Sequence, residues 1–108
     1  MDKLKIVEKF GSNYALIELT GVINSYTCGE LKQKVLSLVL DTNVVLDLSK
    51  VEAIDSSGIG IIMAAFNDAE DSGLKLYMMN PSIPVKQAVE DTGFSDTFYF
   101  IRSVTEVV

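Results

Sequence analysis

The run Val44-Val45-Leu46-Asp47-Leu48 constrains this chain more than any other stretch. Its apolar residues follow one another instead of alternating with polar ones, the pattern of a strand buried on both faces. Such a strand lies inside a covered sheet, so the flanking sequence has to supply helices. It does so on both sides. Upstream, Cys28, Leu31, Val35, Leu38 and Val39 recur at spacings of three and four, with Glu30, Lys32, Gln33 and Lys34 between them, which predicts an amphipathic helix. Downstream, a second helix is expected from about Ser57 to Glu70, stopped by Ser72 and Gly73. Lys75 to Met79 then reads as a strand. Asn80-Pro81-Ser82-Ile83-Pro84 opens a third helix that ends at Gly93, with Pro near its start and Gly just past its end. A short strand follows around Phe98 to Ile101, and Ser103 opens a last turn or helix. At the other end, Leu4 to Phe10 and Tyr14 to Leu19 flank Gly11-Ser12-Asn13 as a hairpin. The predicted order is ββαβαβαβα in one domain over residues 1–108, an α/β fold. Its sheet is mixed but mostly parallel, with right-handed crossovers and an N-terminal antiparallel hairpin at one side.

Composition narrows the function. Nine Lys and Arg against fifteen Asp and Glu give a net charge of −6, which argues against direct binding of nucleic acid, because nothing here neutralises a run of phosphates. The chain has no His and a single Cys, Cys28. Ser-His-Asp and Cys-His catalysis are therefore excluded within the chain, as are Cys/His zinc sites and a disulfide framework. Reduced, cytoplasmic chemistry is the natural expectation. Met1 to Phe10 interleaves charges with isolated apolar residues and does not read as a signal peptide. The apolar run Ile59 to Phe66 is far shorter than the roughly 20 residues that span a bilayer. Neither an enzyme, a cofactor, a metal site nor a membrane partner is expected.

The stretch with chemical interest is Asp55-Ser56-Ser57-Gly58-Ile59-Gly60, where a strand and its loop give way to a helix. Asp55, Ser56 or Ser57 can cap that helix by accepting from its first amides, which stabilises by about 1 kcal/mol. Gly58 and Gly60 fall in the first helical turns, where each costs up to about 1 kcal/mol relative to Ala. The expectation is that another backbone approaches both closely. Beyond them, seven of the eight positions from Ile59 to Phe66 are apolar, wider than one helix face needs. Either a neighbouring helix covers the excess or a partner protein does.

The segment Val44 to Gly60, VVLDLSKVEAIDSSGIG, resembles the signature of STAS domains, in particular the bacterial anti-sigma factor antagonists. That pattern is an apolar strand, a spacer, then Asp-Ser-Ser/Ala-Gly-Leu/Ile-Gly. The likeness extends to Ile17 to Thr20 with Gly21, to Glu30-Leu31, and to Pro84 to Gly93 with Phe94. It implies that Ser56, directly after the motif Asp, is phosphorylated by an anti-sigma factor serine kinase. The unphosphorylated antagonist binds that kinase and frees a sigma factor, phosphorylation weakens the binding, and a serine phosphatase resets the switch. On this resemblance Ser56 is a substrate residue, and Asp55, Ser57, Gly58, Ile59 and Asn24 are candidate partner-binding positions. A phosphate at a helix N-terminus is expected to find free amides and a favourable dipole.

The chain departs from the family pattern after Gly21, where Val22 and Asn24 stand in place of acidic residues. Asn caps a helix as Asp does, so the fold is unaffected, but a docking carboxylate is missing there. Asp47 ends a buried strand as a phosphoacceptor would, yet no paired acidic motif accompanies it, and it is expected to hydrogen-bond a nearby loop. Gly58-Ile59-Gly60 lacks the third glycine of a dinucleotide fingerprint. Cys28 reads as a small buried hydrophobe, and Met63, Met78 and Met79 as core or interface filling. A second functional reading is a STAS subunit that does not switch, fixed in a larger assembly such as a stressosome-like particle or a lipid-transport complex.

Overall fold

The computed structural model describes residues 3–108. The chain folds as β1 (Leu4–Phe10), β2 (Tyr14–Ile23), α1 (Cys28–Leu38), β3 (Asn43–Ile54), α2 (Ser56–Asp71), β4 (Leu76–Met79), α3 (Ile83–Asp91) and β5 (Tyr99–Ile101), followed by a 3₁₀ turn at Val104–Glu106. The five strands lie in chain order, β1-β2-β3-β4-β5, in one sheet. Only β1 and β2 are antiparallel; β2-β3, β3-β4 and β4-β5 are parallel. The α/β order, the hairpin at one side and the mostly parallel sheet are as the sequence predicts.

Each parallel crossover steps to the next strand in the same direction, so right-handed connections place α1, α2 and α3 on one face. The core reflects this. Leu31 and Val35 of α1, Ile62, Ala65, Phe66 and Ala69 of α2, and Val85 and Val89 of α3 share one cluster with Ile17, Leu19, Val44, Leu46, Leu48 and Met78. Val45, Tyr77, Met79 and Ile101 point the other way and form a smaller cluster with Val107, partly covered by Val104. Val44, Val45, Leu46 and Leu48 are all 0% exposed, which explains why this strand is apolar without alternation. Each such side chain contributes about 1.5–3 kcal/mol of burial.

Two strands are longer than their sequence predicts. The second continues past Leu19 to Ile23, and the third continues past Leu48 to Ile54. Register shifts between Glu18 and Thr20 and between Gly21 and Val22 interrupt the pairing of β2 with β3, so the two-residue period breaks while the ribbon goes on. Gly21 enables this with φ +117°, and a Cβ there would collide with the Lys3 carbonyl. β3 pairs with β4 only from Val44 to Asp47. Beyond that point the β2–β3 ribbon runs on without β4, edged by β1 as far as Leu4 opposite Gly21, and carries its two C-terminal turns with it.

Helix ends follow their residues. α2 begins at Ser56, one residue before the predicted start, and α3 ends at Asp91, with Gly93 in the left-handed region (φ 78°) after the C-cap Thr92. Ser103 and Glu106 form a reciprocal capping box around the last turn.

Candidate functional site

The residues singled out in the sequence meet at the end of the β2–β3 ribbon. Ile23 and Ile54 are register partners, and the Asp55 amide donates to the Ile23 carbonyl at 3.1 Å. The turn after β2 and the turn into α2 are therefore side by side. Asn24, read as a possible interface position from a distant part of the sequence, is thus brought next to Asp55 and Ser56.

Of the three possible caps, the structure selects Asp55. It has extended backbone (φ −108°, ψ −173°), and its Oδ1 accepts from the Ser57 amide at 2.9 Å and the Gly58 amide at 3.2 Å. The Ile59 amide donates to the Asp55 carbonyl at 3.1 Å. Ser56 is left as the first helical residue, exposed, with a hydroxyl that makes no hydrogen bond among the described residues. The expectation of free amides for an added phosphate is narrowed here: those of Ser57, Gly58 and Ile59 are already engaged, which leaves the amide of Ser56 itself. A charge added at Ser56 stands beside the Asp55 carboxylate and faces outward.

The two motif glycines differ. Gly58 is buried, and a Cβ on it would lie 2.6 Å from Ile23 Cγ2 and 2.7 Å from Ile54 Cγ1, so its absence lets α2 settle on the ribbon's end. What approaches is side chain, not the backbone that the sequence reading expected. Gly60 is exposed with nothing within 4 Å of an added Cβ, so no close approach within the chain accounts for it. Ser57 and Ile59 are half-buried, Ile59 against the main core. Ser56, Gly60 and Asn67 are exposed along one side of α2, with half-buried Met63 between the last two.

On the neighbouring turn, Asn24 Oδ1 accepts from the Tyr26 amide at 2.9 Å and the Thr27 amide at 3.1 Å. Thr27 Oγ1 accepts from the Asn24 amide at 2.9 Å and donates to the Val22 carbonyl at 2.7 Å. Asn24 thereby performs the capping expected of it, one turn ahead of the regular helix. The turn holds Tyr26 out into solvent, 93% exposed. The sequence reading missed this residue; the signal was an aromatic in the otherwise polar segment Asn24-Ser25-Tyr26-Thr27.

Remaining candidates resolve as packing or local bonding. Asp47 Oδ1 accepts from the Ser49 amide at 3.0 Å and the Ser49 hydroxyl at 2.7 Å. Cys28 is half-buried against the core, Met78 and Met79 are buried, and Met63 is half-buried. Among the described residues, no group of three or more His, Cys, Asp or Glu could hold a metal ion. Among them too, no helix is long and apolar enough to cross a membrane.

Fold and site together define an α/β domain that presents an unengaged serine hydroxyl at the start of its central helix, flanked by a second exposed turn. The chain belongs to the STAS domain family, whose pattern it matches over residues 5–107. It is similar in structure to an anti-sigma factor antagonist from Mycobacterium paratuberculosis, at 20% identity and a TM-score of 0.82, covering 95% of this chain and 89% of that one. The unphosphorylated form of the anti-sigma factor antagonist SpoIIAA superposes with a TM-score of 0.78 at 15% identity, over 94% of this chain and 90% of that one. The phosphorylated form of SpoIIAA, a Bacillus cell fate determinant, gives 0.75 at 15% identity, over 94% of each chain. At these identities the likeness is one of fold.

Proposed function

We propose that this domain is an anti-sigma factor antagonist whose partner binding is switched by phosphorylation of Ser56. The observation that carries this reading is the division of labour at the helix start: Asp55 supplies the cap, so the exposed Ser56 hydroxyl has no structural duty. The existence of phosphorylated and unphosphorylated forms of a similarly folded antagonist supports it. In this reading the domain is a substrate and ligand of its partners, not an enzyme. An anti-sigma factor serine kinase docks on Asp55, Ser57, Ile59 and Asn24, with Tyr26 as an aromatic anchor, while buried Gly58 serves by letting α2 settle on the ribbon's end. A serine phosphatase returns phosphorylated Ser56 to its free hydroxyl.

The energetics are sufficient. Phosphorylation adds about −1.5 to −2 charges and three acceptor oxygens. One unit of that charge about 6 Å from a like charge costs roughly 3 kcal/mol at an effective dielectric near 20, which weakens binding about a hundredfold. Because the Ser57, Gly58 and Ile59 amides are taken, only the amide of Ser56 itself is left to meet the new charge, and the partner meets the rest of it directly. The repelling charge belongs to an acidic group of the partner facing Ser56, while the chain's net charge of −6 suits basic groups elsewhere on that partner.

Incubation with a cognate kinase and ATP, followed by mass spectrometry, tests the site. One phosphate on the wild type and none on Ser56→Ala is the expected result. Phosphate retained by the alanine variant removes Ser56 from the reading, and an unmodified wild type bound stably in a large homotypic particle or to a permease supports the non-switching subunit instead.

A further inference from the structure

The exposed surface at Ser56 continues along α2. With about 100° of rotation per residue, Ser56, Gly60, Met63 and Asn67 share one side of the helix, and Gly60 is open with no neighbour in the chain to account for it. About 16 Å from Ser56, at a rise of about 1.5 Å per residue, that side enters a groove of about 330 Å³ lined by Met63, Phe66, Asn67, Phe94, Thr97 and Phe98. Phe66 and Phe98, 7% and 9% exposed, meet edge-on at 5.2 Å and form its floor. Phe94 forms one wall and is 53% exposed. Its turn is held at both ends: the Phe94 amide donates to Thr92 Oγ1 at 3.0 Å, and the Thr97 amide donates to the Phe94 carbonyl at 2.9 Å.

The surroundings of the groove are acidic. Residues 55–108 carry eight acids against three bases, a net −5 of the chain's −6. Glu70 and Asp71 follow Phe66 and Asn67 by four residues on the groove side of α2, whereas Asp68 lies about 140° around the helix from Met63. Asp91 ends α3, and Asp96 sits in the turn of Phe94. Lys75 offsets Glu70, because its Nζ lies 5.2 Å from the centroid of the Tyr99 ring whose hydroxyl donates to Glu70. The other two bases of this half, Lys86 and Arg102, line a separate cleft with Glu90. Asp71, Asp91 and Asp96 enter no ion pair among the described residues. Both α2 and α3 end here without a basic residue in the last turn, so their dipoles add to the negative field.

We infer that the partner covering Ser56 also docks in this groove, inserting an apolar side chain flanked by Lys or Arg; this rests on the reading of Ser56 as the switch. Continuity and charge choose that occupant. An interface of ordinary size, about 800 Å² per partner and so roughly 30 Å across, reaches Asn67 when placed over Ser56. Met63 belongs both to the exposed side of α2 and to the groove. The acidic surroundings favour a basic segment and repel an acidic one. The two ends then act separately. Their separation of about 16 Å exceeds the Debye length of about 8 Å, so a phosphate on Ser56 leaves docking at the groove intact.

Titration calorimetry of the full chain against the cognate kinase tests this. Phe94→Ala should weaken binding about fivefold to tenfold, and by the same factor in the Ser56→Asp background. Asp91→Asn together with Asp96→Asn should weaken it about threefold at low salt and hardly at all near about 1 M salt, while Asp41→Asn, in the turn after α1, changes nothing. Phe94, Asp91 and Asp96 are exposed, so unchanged circular dichroism spectra check the fold. The amidated peptide Lys-Lys-Phe-Lys-Lys probes the groove without the kinase. In nitrogen-proton correlation NMR it should shift Met63, Asn67, Phe94 and Thr97, and Glu-Glu-Phe-Glu-Glu should not. Kinase binding unchanged in Phe94→Ala or in the double variant, with Ser56 still phosphorylated, overturns the groove docking and leaves the switch standing. So do peptide shifts spread over acids elsewhere on the surface, or equal binding of the acidic peptide. A wild type that the kinase neither binds nor phosphorylates overturns both.

Discussion

Replacing each of the two motif glycines by alanine should shift stability in opposite directions. At Gly58 the new methyl would sit 2.6 Å from Ile23 Cγ2, 2.7 Å from Ile54 Cγ1 and 3.0 Å from Ile54 Cδ1. Carbon atoms prefer about 3.5–4.0 Å, so the neighbours must retreat by nearly an ångström. Ile23 is 0% exposed and β-branched, so it cannot rotate away cheaply. Overpacking of this kind costs about 1–3 kcal/mol, and the helix propensity gained from Gly to Ala returns up to about 1. Gly58→Ala should therefore lose about 1–2 kcal/mol. Gly60→Ala meets nothing within 4 Å and should gain about 0.5–1 kcal/mol. Each kcal/mol moves Tm by about 4–8 °C in a domain of this size, so the two variants should melt on opposite sides of the wild type in calorimetry or urea titration. Equal or greater stability in Gly58→Ala would refute the packing argument at the ribbon's end. A loss in Gly60→Ala would refute the claim that this position is open. The second variant also isolates docking: if Gly60 is reserved for a partner's close approach, Gly60→Ala folds more stably yet binds the kinase less well.

Two further predictions concern single contacts. Asp55→Ala removes the acceptor of the Ser57 and Gly58 amides and should cost about 1 kcal/mol in urea titration, while Asp55→Asn keeps most of it and Ser56→Ala changes stability by less than about 0.5 kcal/mol. Tyr99 donates from its hydroxyl to Glu70 Oε1 at 3.0 Å, and this bond, aided by burial and the Glu70 charge, raises its pKa above the ordinary 10.0. A raised folded value favours the neutral phenol, so its contribution is complete below about pH 10 and fades as pH rises through the folded value. Phenolate absorbance should show one tyrosine titrating late, and Tyr99→Phe should remove that component together with part of the alkaline loss of stability.

Much of the fold is legible along the chain because local signals agree with one another. The unalternating run at Val44 to Leu48 announces a covered strand, helix periodicities flank it, and Gly93 and Pro84 mark helix ends. The ribbon's length is not legible, because Ser49, Lys50 and Glu52 are exposed and read as loop, while two register shifts erase the alternation in β2. The choice among Asp55, Ser56 and Ser57 as cap is likewise hidden, since all three are good caps and only the backbone direction at Asp55 decides. Asn24 and Tyr26 join the site through the pairing of Ile23 with Ile54, a contact no local pattern encodes.

The strand order has a consequence for how the domain is assembled. Because every strand pairs only with its neighbours along the chain, each β-α unit can dock on an edge that the preceding units have already built. No strand has to be inserted between two others, and loop closure is paid in short steps rather than one long one. Growth from the hairpin outward is compatible with folding as the chain emerges during synthesis. The exposed danger lies in the interval after β3 forms, when an apolar edge waits for Leu76–Met79, a strand buried at every position, to arrive and cover it.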